Sequence, residues 1–215
     1  MKVSSGIYGF DELISGGYNN SITTFYGIAG SGKTTFCLLA ALNLVNNNKK
    51  VIYIDTEINF SVERIKQMLQ DKSINALDNI ISIKVKSFKQ QQDQIKNLGD
   101  LIRLGKVSLV IIDSIGHYYR SLYKKHPDLA NKMLSSQLRI LKEISNECPI
   151  IITNQVYMDI TSNEIRMVGG SIIEAYTDLL IRLEHDQNRI LRIMKPDIKI
   201  IVFEIINEGV KIKQY

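Results

Sequence analysis

The segment Gly27-Ile28-Ala29-Gly30-Ser31-Gly32-Lys33-Thr34 constrains this chain more than any other. It matches G-x-x-x-x-G-K-[ST] in full, a loop whose backbone N–H groups close around phosphate oxygens and whose glycines keep side chains out of the way. Such a loop works only where a buried strand enters it and a helix leaves it, because the helix N-terminus adds its partial positive charge at the same point. Both flanks are legible: Ile22 to Tyr26 is a β-rich run, and Thr34 to Val45 spaces apolar residues as a helix does. A chance glycine turn would account for the octapeptide and not for its flanks.

The pattern continues along the chain. Val51 to Ile54, Ile80 to Val85, Leu109 to Ile112 and Ile150 to Thr153 read as strands, the last two being unbroken apolar runs of the kind buried on both faces. Ser61 to Leu69, Gln91 to Leu104 and Leu129 to Ile144 read as helices between them. After Gly169-Gly170 come one helix-like segment and four short strand-like runs, Leu179 to Leu183, Arg189 to Met194, Ile200 to Ile205 and Val210 to Ile212, expected to extend the sheet with antiparallel strands. The fold class is therefore α/β: a mainly parallel central sheet flanked by helices, with antiparallel strands at the C-terminal end. At 215 residues, with no internal repeat, residues 1–215 are expected to form one domain.

Three polar positions follow strand-like runs, at the edge where open α/β sheets bind ligands. Asp113 ends Leu109 to Ile112 and is the expected second magnesium position beside Thr34, holding the ion through water because Mg²⁺ gives up its shell reluctantly. Glu57 follows Val51 to Asp55 and is the candidate base for an attacking water. Gln155 follows Ile150 to Asn154, and its amide either senses a terminal phosphate or forms a polar turn. In this reading Lys33 reaches the β- and γ-phosphates of ATP, Thr34 ligates Mg²⁺ and Thr35 supports the loop.

Charge bears on partners. Lys and Arg outnumber Asp and Glu by 27 to 22, a balance compatible with a polyanion. The two cysteines, Cys37 and Cys148, have no metal-ligand spacing and read as buried thiols. No apolar run approaches the length of a membrane helix and no signal region opens the chain, so a cytoplasmic location is expected.

Gly27 to Thr34, Tyr53-Ile54-Asp55-Thr56-Glu57 with Glu63-Arg64, Asp113-Ser114 and Thr153-Asn154-Gln155 resemble, in content and order, the core of RecA-like recombinases. Ser5-Gly6-Ile7, Asp11-Glu12-Leu13, His117-Tyr118-Tyr119-Arg120 and Val202-Phe203-Glu204-Ile205 bring the resemblance closest to the archaeal RadB branch of that family. The resemblance implies ATP-linked DNA binding in recombination and repair, with Glu57 as catalytic glutamate, Gln155 at the hinge between the nucleotide and DNA loops, and Arg64 near the adenine. Read alone, Arg64 is a helix-surface charge pairing with a neighbour.

The resemblance also implies two DNA-facing loops, at about Arg120 to Leu129 and Tyr157 to Val168. Arg120, Lys124, Lys125 and His126 in the first, and Arg166 in the second, are the candidate phosphate contacts, and Tyr118, Tyr119 and Tyr123 either stack bases or pack beneath the loop. Core-like sequence begins within the first residues, so no N-terminal helical domain is expected. A weak ATPase with an accessory role follows, acting on single-stranded or branched DNA beside the main recombinase or a junction nuclease, with a homo-oligomer possible. Two alternatives stand. A KaiC-like ATPase would share the opening segment and the loop, although it would carry adjacent glutamates where this chain has Asp55-Thr56-Glu57. A module binding DNA or protein could instead hold ATP without significant turnover.

Overall fold

The computed structural model describes residues 2–58, 62–69, 74–159 and 164–213; Ser61, expected to start a helix, and residues 160–163 of the second loop lie outside them. The chain runs through α1 (Phe10–Leu13), β1 (Ile22–Gly27), α2 (Lys33–Val45), β2 (Lys50–Asp55), α3 (Val62–Leu69), a 3-10 turn (Ile74–Asn79), β3 (Ile80–Lys84), α4 (Phe88–Gly105), β4 (Val107–Asp113), α5 (His117–Tyr123), α6 (Pro127–Ile144), β5 (Ile150–Asn154), β6 (Val156–Asp159), β7 (Glu164–Met167), α7 (Gly170–Tyr176), β8 (Leu179–His185), β9 (Arg189–Lys195), β10 (Lys199–Ile206) and β11 (Gly209–Ile212). Nine strands form one sheet in the order β11-β10-β9-β8-β1-β5-β4-β2-β3, and β6 and β7 pair apart from it.

From β3 to β8 the neighbours in the sheet are parallel, and β9 to β11 are antiparallel. The tail was expected to be antiparallel throughout. Its first strand departs from that: β8 pairs in parallel with β1, Gly27 standing opposite Leu183. The helix α7 precedes β8, and a helical crossover returns the chain to the starting end of the sheet and so delivers a parallel strand.

Successive residues of a strand face opposite sides of the sheet. Val51, Tyr53, Leu109, Ile111 and Ile151 accordingly enter one core with α1 and α2, while Ile52, Ile54, Val110, Ile112, Ile150 and Ile152 enter a second with α4, α6 and α7. The first core holds an aromatic cluster in which the Phe36 ring lies 5.1 Å from Phe25, 5.3 Å from Phe10 and 5.5 Å from Phe203. Phe36 on α2 thereby ties β1 to β10; its truncation to alanine would cost about 3–5 kcal/mol. α2 is buried from Phe36 to Leu42, which explains a sequence apolar nearly all round.

Local signals place the helix ends. Ser87 caps α4 by accepting from the Gln90 amide at 3.1 Å, and Gln90 reaches back to the Lys86 amide at 2.8 Å. Pro127, whose missing N–H costs nothing at a helix start, opens α6. With the strands so arranged, the ends of β1, β2, β4 and β5 meet at one edge of the sheet.

Candidate functional site

The loop after β1 is shaped by what lies beneath it. A Cβ at Gly27 would come within 2.1 Å of the Leu183 carbonyl oxygen, so only glycine lets β1 and β8 pair this closely. Gly32, at φ +107°, lies over Ile205, whose Cδ1 would be 2.9 Å from an added Cβ. Lys33 Nζ donates to the carbonyls of Gly27 at 2.9 Å and Ile28 at 2.8 Å. Burial lowers the pKa of this ammonium, opposed by the carboxylates of Asp113 and Glu57. A half-buried cation held by two neutral carbonyls gains most from an anion, and the first-turn N–H groups of α2 have no intrahelical acceptors.

Asp113, at the end of β4, is almost fully buried, and its carboxylate accepts three hydroxyls: Thr34 and Tyr53 on Oδ2, each at 2.7 Å, and Thr153 on Oδ1. Burial, then the Asp113 charge, holds the Tyr53 phenol protonated well above its usual range. Among the described residues no group of three or more His, Cys, Asp or Glu could cage a metal. The Thr34 hydroxyl beside the Asp113 carboxylate is instead a small set of hard oxygen donors, which fits Mg²⁺ keeping water and phosphate as its other ligands. The Ser31 hydroxyl is buried without a hydrogen-bond partner among the described residues.

Glu57 lies just past β2. Its Oε1 accepts from Ser114 Oγ at 2.6 Å and from Gln155 Nε2 at 2.7 Å, and His117 Nδ1 stands 4.0 Å away. The Thr56 hydroxyl supports this corner by accepting from the Ser114 amide at 2.7 Å while donating to the Ser114 carbonyl at 2.9 Å. Lys33, Thr34, Asp113, Glu57 and Gln155 are thus drawn together at the ends of four strands. Ile28, Ala29 and Gly30 are exposed on the loop, and Thr35 is half-buried in the first turn of α2.

Arg64 on α3 does something else: its guanidinium donates to the Ile206 carbonyl at 2.9 Å and the Asn207 carbonyl at 3.3 Å, tying α3 to the turn between β10 and β11.

The two expected loops have more structure than their sequences indicated. Arg120 to Tyr123 belongs to α5 and Asp128-Leu129 to α6, leaving 124–126 as the connection, with His126 at the N-cap of α6. The second segment is a hairpin, Val156 opposite Met167 and Asp159 opposite Glu164. Its strands are four residues each, too short for an alternation to stand out.

Together with α7 these segments line a groove of about 720 Å³ that includes Arg120, Lys124, Tyr123, Tyr157 and Arg166; Lys125 and His126 are exposed but are not among its lining residues. Arg166 is paired with Asp159 at 3.1 Å and Glu164 at 3.5 Å, whereas Arg120 and Lys124 make no ion pair among the described residues. Of the tyrosines, Tyr119 is 4% exposed and donates to Asn131, and Tyr118 donates to the Val85 carbonyl. Tyr123, 46% exposed, and Tyr157, 42% exposed, are the rings open to a partner.

Several residues had no sequence signal of their own. Tyr53 and Thr153 sit inside apolar strands, and only the pairing of those strands with β4 brings them to Asp113. Asn154 donates to the Val168 carbonyl at 2.6 Å, and the Val168 amide donates to the Gln155 carbonyl at 3.1 Å. The end of β5 therefore holds the end of the hairpin.

The chain matches the model of the Rad51 family over residues 1–213. It is 35% identical over 179 aligned positions to the DNA repair and recombination protein RadB of Methanococcoides burtonii, covering 81% of this chain and 79% of that one. Against the DNA repair and recombination protein RadB of Methanosphaera stadtmanae it is 33% identical over 213 positions, covering 93% and 91%. The corresponding figures for that of Methanococcus maripaludis are 35%, 184, 83% and 83%.

Proposed function

This chain belongs to the Rad51 family, and from that membership we propose that it is a nucleotide-regulated DNA-binding protein of DNA repair and recombination. One observation carries the proposal: Glu57, Gln155 and Val168 form a continuous bonded path from the phosphate loop's edge to the groove. Gln155 bonds Glu57 through its side-chain amide and Val168 through its backbone carbonyl, so a shift of Gln155 when a terminal phosphate binds would be passed to the end of the hairpin.

In this reading the loop and Lys33 bind the phosphates of ATP, and Thr34 with Asp113 holds Mg²⁺, which when bound neutralises charge on the phosphate oxygens. Arg64 would reach the adenine on giving up its carbonyl contacts. Glu57 positions a water and accepts its proton, and Gln155 reports occupancy of the site. Slow turnover is expected, since Glu57 Oε1 already accepts two hydrogen bonds that must rearrange before it takes a proton. Arg120 and Lys124 would contact DNA phosphates, joined at the rim by Lys125 and His126 and, on release from its acids, by Arg166; Tyr123 and Tyr157 offer rings for unpaired bases. An accessory role beside the main recombinase, or in handling single-stranded or branched DNA, suits a groove with few free cations.

Fluorescence anisotropy with single-stranded, duplex and branched DNA across a salt series tests this, with and without Mg-ATP and with Lys33→Ala alongside. The expected result is salt-sensitive binding that shifts with Mg-ATP, the shift being lost in Lys33→Ala. Failure of every DNA form to bind at low salt would refute DNA as the partner.

A further inference from the structure

Arg189 opens β9. Because β9 runs antiparallel to β8, its first residue lies at the edge where β1 ends and the loop begins, opposite His185 on one side and Phe203 on the other. From there Nη1 donates to the Gly30 carbonyl at 2.7 Å. Gly30 is the crown of the loop: its φ is +74°, and a Cβ there would meet nothing within 4 Å. The lower loop is held by Leu183, Ile205 and the Lys33 ammonium, so the crown depends on contacts of the kind Arg189 supplies.

A peptide unit is planar and trans, so its carbonyl and its N–H point in opposite directions. Drawing the Gly30 carbonyl toward Arg189 therefore turns the Ser31 N–H away from it, toward the inner side of the loop, where it donates to the Ile28 carbonyl at 3.3 Å until an anion takes that carbonyl's place. Lys33 Nζ donates to that same carbonyl. Guanidinium is suited to the task, since it is always charged and has more N–H donors in its planar fork than one carbonyl engages.

We propose that Arg189 is a further residue of the nucleotide site, a positioning cation that holds the crown of the phosphate loop in its anion-binding shape and adds a permanent positive charge beside the phosphates of a nucleoside triphosphate. The inference rests on the reading of Gly27 to Thr34 as a nucleotide site. It reaches a residue 159 positions away in sequence that belongs to none of the chain's motifs.

The test is titration of the full chain with a fluorescent ATP analogue and Mg²⁺, using wild type, Arg189→Ala, Arg189→Lys, Arg189→Gln and Lys33→Ala. Arg189→Ala is expected to weaken binding by about tenfold or more, the ordinary worth of a hydrogen bond from a charged group. Arg189→Lys keeps the charge and Arg189→Gln keeps a donor, so each recovers part of the loss, and added salt narrows the gap between wild type and Arg189→Gln. Melting temperature without nucleotide is expected to stay at the wild-type value. Wild-type affinity in Arg189→Ala, with Lys33→Ala impaired, overturns the assignment and leaves the nucleotide site standing. Should Arg189→Ala melt early, wild-type affinity in both the Lys and Gln variants overturns it instead. A wild-type chain that binds no nucleotide removes the nucleotide reading, and this inference with it.

Discussion

The edge of the sheet and the groove beside the β6–β7 hairpin adjoin at Gln155, but they are built differently. At the edge, Asp113 is 6% exposed and its carboxylate accepts three hydroxyls, while Glu57 accepts from Ser114 and Gln155. In the groove Arg120 and Lys124 stand in solvent, and Arg166 is held by acids of its own hairpin. Around Asp113 the hydrogen bonds are already made without a ligand, because each unpartnered polar atom in a buried network costs free energy. Solvated cations cost little alone and become valuable only against a polyanion, where each neutralised phosphate releases counterions. One region is specified by its own chemistry and the other by its partner's.

That contrast can be broken first at Asp113. Asp113→Ala leaves three hydroxyls without their acceptor, two of them on nearly fully buried residues, and should lower unfolding stability by about 3 kcal/mol in urea denaturation. A loss below about 1 kcal/mol would mean the network is not holding the edge together. Glu57→Gln keeps the size of the side chain and removes the proposed base. ATP hydrolysis should fall by about a hundredfold while nucleotide affinity and melting temperature are retained. Unchanged turnover would move the base elsewhere.

On the groove side, Arg120→Ala with Lys124→Ala should weaken DNA binding about tenfold at low salt and lower the steepness of its salt dependence by roughly 1–2, with folding untouched. An unchanged salt slope would take DNA out of the groove.

The smallest effect compares the buried phenols of the two regions as pH rises. Burial pushes Tyr119 up to about 12, and burial with Asp113 raises Tyr53 well above its usual 10.0. In the unfolded chain these phenols ionise near 10, so above that pH the native state binds more protons than the unfolded one. The stability they contribute is fully present below pH 10 and is lost as pH climbs toward 12. Lys33, with its lowered pKa, acts in the opposite sense below pH 10.5. Urea midpoints should therefore fall between pH 10 and 11, less steeply in Tyr119→Phe; equal slopes would remove Tyr119 from the account.

Most of the sheet was legible from local pattern. The five expected core strands and the helices α2, α4 and α6 appear within a few residues of their sequence limits, because apolar period and caps are properties of neighbouring residues. The loop and the three polar positions were legible for the same reason, since each follows a buried strand. The parallel pairing of β8 was not legible, and neither were the helical ends of the first loop nor the hairpin in the second. Short elements give too few residues for a period to declare itself, and pairing direction depends on what the crossover does.

Local sequence was enough to specify a glycine-rich loop between a strand and an apolar helix on a mainly parallel α/β sheet, because the octapeptide and both its flanks are read from neighbouring residues. Tertiary structure alone decided the partners of that loop. Tyr53 meets Asp113 across 60 residues, Thr153 meets it across 40, and Arg189 meets Gly30 across 159. Those meetings follow from strand order, which is set by how helices cross the sheet and by which faces they bury, and no local run of residues carries that choice.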